Sequence, residues 1–253
     1  MKIIKPYAKL LSPWRTPHFG DDCMMFIEWC ARISHRSEEA QTPDSWKRFL
    51  KTVVIDHGDW SVVEHISVSV DAIIDRGITH EWVRHRLNSY TQESTRFVNY
   101  EKKMPPAFIY PRPEVECQYC LQGDQPIPHD IANHTSAWFH AFEHERDVDC
   151  IYNRWWLWAV NACEANYKQL LKQGWRPQEA RSVFPNALAS RIISTTNLRC
   201  WRHILIMRTS LEAHPQMRQV TIPLLAEFQK TFPILFDDII PNEKQSIAMR
   251  KAQ

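Results

Sequence analysis

Glycine is the residue this chain most conspicuously avoids: only five occur in 253 residues, at positions 20, 58, 77, 123 and 174. With that spacing neither a G-x-G-x-x-G turn nor a G-x-x-x-x-G-K-[ST] loop can exist. Any phosphate must therefore be held by side chains or isolated amides. The charge balance narrows the field again, because 31 Lys and Arg against 29 Asp and Glu give a net charge of only +2. Binding to a nucleic-acid polymer normally needs a basic face, so nucleic acid is not an expected partner, although a local basic pocket remains open.

The composition, 44% hydrophobic and 24% charged, is that of a globular protein. Seven cysteines, an odd number without an obvious framework between Cys23 and Cys200, suit reduced thiols in a reducing compartment. No apolar run approaches the roughly 18 residues of a membrane span. The opening MKIIKPYAKLLSPWR is broken by Pro6, Lys9 and Pro13, so neither a leader nor a membrane partner is expected, and the location is read as cytoplasmic.

Apolar residues over Asp21–Ser34 are too densely placed for a clean period, but the run is long enough for a buried helix. A second helix is expected to start at Thr42-Pro43-Asp44, with Thr42 as cap and Pro43 in the first turn, to use Trp46, Phe49, Leu50 and Val53, and to end near His57-Gly58. Ile66–Ala72 alternates apolar and polar residues as a half-buried strand does. Thr79 is expected to cap a helix through Leu87, offering Trp82, Val83 and Leu87 for burial and setting Glu81 and His85 one turn apart. Beyond Asn88 the period is lost, and the prolines at 105, 106, 111 and 113 exclude regular structure over Met104–Pro113.

Residues 114–147 read as an insert, and a long amphipathic helix from about Ile151 closes at Gly174. A short helix runs from Pro177 to Pro185, a strand covers Ile192–Thr196, and helices cover Leu198–Arg208 and Pro215–Phe232. With no linker and no repeat, one α+β domain over residues 1–253 is the simplest account.

The run Arg84-His85-Arg86-Leu87-Asn88-Ser89-Tyr90-Thr91-Gln92-Glu93-Ser94-Thr95-Arg96 concentrates chemistry. Three basic residues at a helix end could simply complement the helix dipole. The hydroxyl-rich stretch ending in Ser-x-Arg adds hydroxyls and a guanidinium, which a glycine-poor protein can use to hold a phosphate monoester. Arg-His-Arg, seven residues, then Ser94 resembles the signature of flavin-dependent thymidylate synthases. The resemblance spans most of residues 22–232. It extends to Ala31-Arg32-Ile33-Ser34, His57-Gly58 with Glu64-His65, Glu179-Ala180-Arg181 before Pro185, and Asn197-Leu198-Arg199.

The resemblance implies a mostly antiparallel sheet flanked by helices, assembled as a homotetramer, that methylates dUMP to dTMP. In such enzymes the one-carbon unit comes from methylenetetrahydrofolate and the electrons from NADPH through FAD. It implies that Ser61, Glu64, Arg84, His85, Arg86, Gln92, Asn197, Arg199 and His203 contact the flavin. Gln92, Glu93, Ser94, Thr95 and Arg96 would wrap the nucleotide, with Glu81, Trp82, Val83 and Arg84 lining one side and Arg181 reaching in from another subunit. Arg208 matches the arginine that binds the pyrimidine and favours ionisation of its N3, as a guanidinium beside a desolvated anion does. Ser94 has no general base paired with it in sequence and reads as a substrate contact.

Several positions depart from that pattern. Thr91 and Gln92 stand where Asn and Glu are usual, Phe97 where Tyr is frequent, Glu81 where Gln contacts the nucleotide, and His203 where Asn contacts the flavin. A carboxylate beside a dianionic phosphate is repulsive, so Glu81 is expected to face a sugar hydroxyl or to pair with an arginine. Two further readings stay open: another pyrimidine nucleotide as substrate (UMP methylation, or a hydroxymethylated product), and a non-enzymatic nucleotide-binding homologue. Cys117 and Cys120 with His129 and His134 form a Cys₂His₂ set whose spacing fits a zinc finger badly, so no metal is expected and the insert is read as a surface excursion at a subunit interface.

Overall fold

The computed structural model describes residues 2–11, 18–102, 104–111 and 148–241. The elements are β1 (Lys2–Ile4), β2 (Tyr7–Leu11), α1 (Phe19–Ile33), α2 (Ser45–Leu50), β3 (Ser67–Asp75), α3 (Arg76–Trp82), β4 (Ser89–Gln92) and β5 (Ala107–Ile109). They continue with α4 (Val148–Lys172), α5 (Pro177–Ala180), β6 (Ala189–Asn197), α6 (Leu198–Arg208) and α7 (Pro215–Thr231). The class is α+β, as expected. The chain divides into two compact units, one of residues 6–73, 78–92 and 191 onward, the other of residues 2–5, 74–77 and the described part of 93–190.

The larger unit is built on a four-stranded sheet in the order β2-β3-β6-β4, with β2–β3 and β4–β6 antiparallel. On β3, Val68, Val70 and Ala72 are buried at alternate positions, as the period requires. Asp71, on the opposite face, is buried as well, because Arg191 grips it through two 2.8 Å bonds and Lys9 stands opposite it in register. The strand is therefore more than half-buried, with a paired carboxylate where alternation alone would put a solvated one. At the edge, the Leu10 amide of β2 donates to the Glu227 carboxylate of α7 at 2.8 Å, which satisfies a group an edge strand leaves open. Trp82, Trp201, Phe228, Phe232 and Phe236 fill the core, with Trp201 and Phe228 centroids 5.6 Å apart. Gly20 allows α1 to approach α7: a Cβ there would lie 2.0 Å from the Thr231 carbonyl oxygen.

In the smaller unit β1 and β5 pair in parallel, Lys2 opposite Ala107. Tyr100, Phe108, Val160, Tyr167, Ala180 and Leu188 form its core, and Phe184 stacks on Tyr167 at 4.6 Å. Gly174 closes α4 at φ +89°, with the Trp175 amide donating to Leu170 O and the Gly174 amide to Leu171 O, both at 3.0 Å. This paired-bond cap needs a left-handed residue, and glycine supplies it without strain.

Several expectations are corrected. The second helix starts at Ser45, not Thr42-Pro43, because the Ser45 hydroxyl folds back to accept from the Thr42 amide at 2.9 Å and so uses up the cap. It runs on as one wider turn, Lys51–Asp56, and stops before His57. Thr79 does not start a helix. It lies inside α3, which follows β3 directly because the Arg76 amide finds the Asn186 carbonyl at 2.9 Å without a hydroxyl cap. That helix ends at Trp82, leaving Val83 and Leu87 exposed instead of buried. Ser89–Gln92 is a strand, held by pairing with β6 in place of an apolar period of its own. The prolines around 104–113 flank β5 rather than forbid it. The opening segment supplies two strands that its lysines and prolines concealed.

Candidate functional site

In the larger unit the Arg84-His85-Arg86 segment lies against α6, and backbone hydrogen bonding explains how. Past Trp82 the chain turns tightly, Arg84 N donating to Glu81 O and His85 N to Trp82 O, each at 3.3 Å. The Tyr90 hydroxyl, from β4, lies 3.0 Å from Trp82 O and 2.8 Å from His85 O, pinning the turn from inside. Leu87 adopts φ +65°, and its carbonyl accepts from the Thr196 hydroxyl at 3.1 Å. One turn further along, the Cys200 thiol contacts Arg86 O at 3.6 Å and Asn88 Oδ1 at 3.7 Å. Arg84 and Arg86 are exposed, and neither side chain makes a hydrogen bond or ion pair to another described residue.

At the far end of α6, Arg208 meets the other half of the segment. Its Nε donates to His85 Nε2 at 2.9 Å, Nη1 to the Glu81 carboxylate at 2.9 Å, and Nη2 to the Glu81 carbonyl at 3.2 Å. The Arg208 carbonyl accepts from the Thr221 hydroxyl at 2.8 Å. Burial, the Arg208 charge and then His203 push the His85 imidazole down to about 4, so it is neutral near pH 7 and Nε2 is free to accept. Glu81 thus pairs with an arginine, one of the two placements its sequence context predicts.

The remaining flavin-side candidates of this unit divide. The Asn197 side chain caps α6, accepting from the Cys200 amide at 2.8 Å. Ser61 and Glu64 lie on one 3₁₀ segment, Trp60–His65, where Glu64 pairs with Arg199 at the surface. Gln92 donates to the Thr79 hydroxyl at 3.0 Å. His203 is exposed on α6.

The smaller unit holds Glu93, Ser94, Thr95, Arg96 and Arg181. Ser94 begins a turn, its carbonyl accepting from Phe97 N at 3.2 Å and Val98 N at 3.0 Å, and its hydroxyl accepting from the Arg96 amide at 3.3 Å. Buried Thr95 accepts from Arg181 Nη1 at 2.7 Å, so Ser94, Thr95, Arg96 and Arg181 share one turn. The Arg96 guanidinium stacks over Phe97, 5.4 Å from its centroid. Glu93 accepts from the Tyr100 hydroxyl at 2.9 Å, and burial first, then the Glu93 charge, hold that phenol well above its ordinary range.

Sequence reasoning missed the residues that hold these groups: Tyr90, Thr196, Thr221 and Arg202. Arg202 is buried, bound to Asp238 and the Leu235 carbonyl, with Trp60 of the Ser61–Glu64 segment 4.5 Å away in a cation–π contact. Only Tyr90 carried a signal, as the aromatic member of the hydroxyl-rich run. Among the described residues no group of three His, Cys, Asp or Glu is placed to hold a metal, and Cys117, Cys120, His129 and His134 lie outside those residues. No described helix is long and apolar enough to cross a membrane.

A family model described as "Thymidylate synthase complementing protein" matches residues 21–234. The chain belongs to that family. Curated proteins similar to it carry the name flavin-dependent thymidylate synthase. One from Mycobacterium avium (strain 104) is 30% identical, over 89% of this chain and 82% of its own length. One from Mycobacterium sp. (strain KMS) is 30% identical over 89% and 83%, and one from Mycobacterium bovis (strain BCG / Pasteur 1173P2) 28% identical over 89% and 82%. The family match runs across both structural units and takes in the Arg84–Arg96 segment, Arg181 and Arg208 together.

Proposed function

We propose that this chain is a flavin-dependent thymidylate synthase, methylating dUMP to dTMP with methylenetetrahydrofolate as one-carbon donor and NADPH as reductant. The observation that carries the reading is the junction of Arg208 with His85, which ties the arginine assigned to the base to the middle of the Arg-His-Arg signature at 2.9 Å. Exposed Arg84 and Arg86 and the neutral imidazole between them suit the charged and planar parts of FAD, so the residues present fit the cofactor. Arg84, His85, Arg86, Ser61, Glu64, Gln92, Asn197, Arg199 and His203 are the residues we assign to it. Bound there, FAD supplies the electrons that complete the methyl group.

The chain's own part is positioning and polarisation. We assign Arg96, Ser94, Thr95 and Arg181 to the nucleotide phosphate, and Gln92, Glu93, Glu81, Trp82, Val83 and Arg84 to the rest of the nucleotide. Arg208 faces the base and stabilises negative charge as it develops on the pyrimidine, an effect that lowers a barrier when it is stronger in the transition state than in the ground state. We further infer that residues 1–253 act as one functional domain, since one family model spans both units. The working form is a cytoplasmic homotetramer; the resemblance has Arg181 reaching a neighbouring subunit's substrate, whereas here it donates to Thr95 of its own chain.

The test is direct. Protein loaded with FAD and supplied with dUMP, methylenetetrahydrofolate and NADPH is expected to yield dTMP, to show a flavin absorbance spectrum, and to scatter light as a tetramer. Protein that stays colourless after incubation with FAD and forms no dTMP refutes the assignment.

A further inference from the structure

Helix α1 carries two apolar faces, and only one is covered within the chain. Cys23, Met24, Ile27 and Ala31 are buried in the core of the larger unit. Phe26, Trp29 and Ile33 stay in solvent, 46%, 44% and 47% exposed, with Cys30 partly exposed among them. Their spacing places them on one stripe of the helix. The Phe26 and Trp29 rings stack with centroids 5.9 Å apart, so two of the three side chains already hold each other in place. Large apolar side chains gathered on one exposed face mark an interaction surface, where single scattered ones do not.

The order of residues along the stripe identifies what covers it. Phe26 lies three positions before Trp29 and Ile33 three positions after Cys30, so the set is symmetric about the midpoint between Trp29 and Cys30. Alternating steps of three and four are those of a seam between two helices. Laid antiparallel on a copy of itself, α1 sets Phe26 opposite Ile33 and Trp29 opposite Cys30, each twice, as a twofold contact requires. The ends of the helix agree. Exposed Asp21 and Asp22 open it and exposed His35 and Arg36 follow its last residue, so the antiparallel arrangement brings the acidic end of one copy to the basic end of the other. It also opposes the two helix dipoles. A parallel arrangement sets Asp21 and Asp22 against their own equivalents, like charge on like.

We propose that the Phe26, Trp29 and Ile33 face of α1 is a self-association surface, covered by the same face of a second copy of this chain in antiparallel, twofold register. An unrelated partner would need an apolar face as well, but nothing would require it to match this symmetry of side chains and charge. No residue assigned to FAD or to the nucleotide takes part, so the contact stands or falls apart from the thymidylate synthase reading.

The thiol beside the symmetry axis supplies the test. Helix axes in contact lie about 8–10 Å apart, within reach of a short bismaleimide. Treatment of the full chain in solution is expected to give a covalent dimer whose digest contains Cys30 linked to Cys30. Each chain has one Cys30, so that product arises only between copies, and Cys30→Ser is expected to abolish it. Trp29→Glu sets two carboxylates beside the axis and is expected to halve the mass measured by light scattering, with the circular dichroism spectrum unchanged. Absence of the Cys30–Cys30 product, Cys30 linked only to other cysteines, or a folded Trp29→Glu protein of wild-type mass overturns the proposal. The cross-link is read on the wild-type chain, so it decides the question even where Trp29→Glu does not fold.

Discussion

Arg208→Ala separates a structural arginine from a chemical one, because the structure sets the two costs at different sizes. On the structural side the substitution removes the donor to His85 Nε2 at 2.9 Å and the pair with Glu81, whose side chain is 39% exposed. A part-exposed hydrogen bond from the guanidinium to a neutral imidazole contributes about 1 kcal/mol and a part-exposed ion pair up to about 1 kcal/mol. Water can reach Glu81 once the guanidinium is gone, so the stability loss is about 1–2 kcal/mol and the protein remains folded. On the chemical side, removing one group aimed at developing negative charge costs about 3–4 kcal/mol, on the order of 10²–10³ in rate. The assay pairs urea denaturation with single-turnover oxidation of the reduced flavin at saturating dUMP and methylenetetrahydrofolate, followed by quantitation of dTMP. The variant is expected to retain its flavin, lose little nucleotide affinity, and slow by about a hundredfold or more. Wild-type dTMP formation in a variant destabilised by 1–2 kcal/mol would falsify the assignment and leave Arg208 a scaffold residue.

Three further outcomes follow from the same contacts. His85 is held at about 4 in the folded protein against an ordinary value near 6.5. The unfolded chain therefore binds more protons between those values, and His85's share of the stability is present above pH 6.5 and lost as pH falls toward 4. The loss is about 1–2 kcal/mol after allowing for partial solvation, and an unfolding midpoint that His85→Gln leaves with the wild-type acid profile over this window contradicts it. Gly20→Ala puts a methyl 2.0 Å from the Thr231 carbonyl oxygen, where only backbone can yield, so a loss of at least about 2 kcal/mol is expected and a wild-type melting temperature counts against the α1–α7 approach. Arg181→Ala is expected to weaken dUMP by about 2–4 kcal/mol with bound flavin unchanged, and equal affinity for deoxyuridine and dUMP in the wild type would remove the phosphate from that turn.

The parts legible in the sequence were those whose local signal agreed with their surroundings. The helix Leu198–Arg208 was read to the residue, and the Asn197 side chain caps it. The helix closing at Gly174 was marked by the one residue type that enters the left-handed region freely. The strand Ser89–Gln92 was not legible, since its four residues have no apolar period and are held by partners a hundred or more positions away in β6. The Thr42 cap failed because two hydroxyls competed for one turn and Ser45 took it. In the site, residue types were legible and their supports were not: nothing local marks Thr221 as the donor to the Arg208 carbonyl.

The supports explain how a chain so poor in glycine builds a tight functional turn. Between Trp82 and Asn88 no glycine is available, yet the backbone reverses and Leu87 sits at φ +65°. That conformation costs a leucine about 1–2 kcal/mol. Leu87 is 89% exposed, so apolar burial within the chain does not offset the cost. What holds the turn is a set of hydroxyl donors from β4 and β6, the one Tyr90 O–H shared between the Trp82 and His85 carbonyls and Thr196 on the Leu87 carbonyl. Net hydrogen bonds of about 1 kcal/mol each are of the size needed to hold one strained residue. Burial, which outweighs the opposing hydrogen bond with Asn88, and then Cys200 push Tyr90 up to about 12, so it remains a donor across the physiological range. The hydroxyl-rich run therefore has two roles divided by position. Tyr90 fixes the backbone from which Arg84, His85 and Arg86 project, and Ser94 with Thr95 opens a second turn that carries Arg96 and receives Arg181.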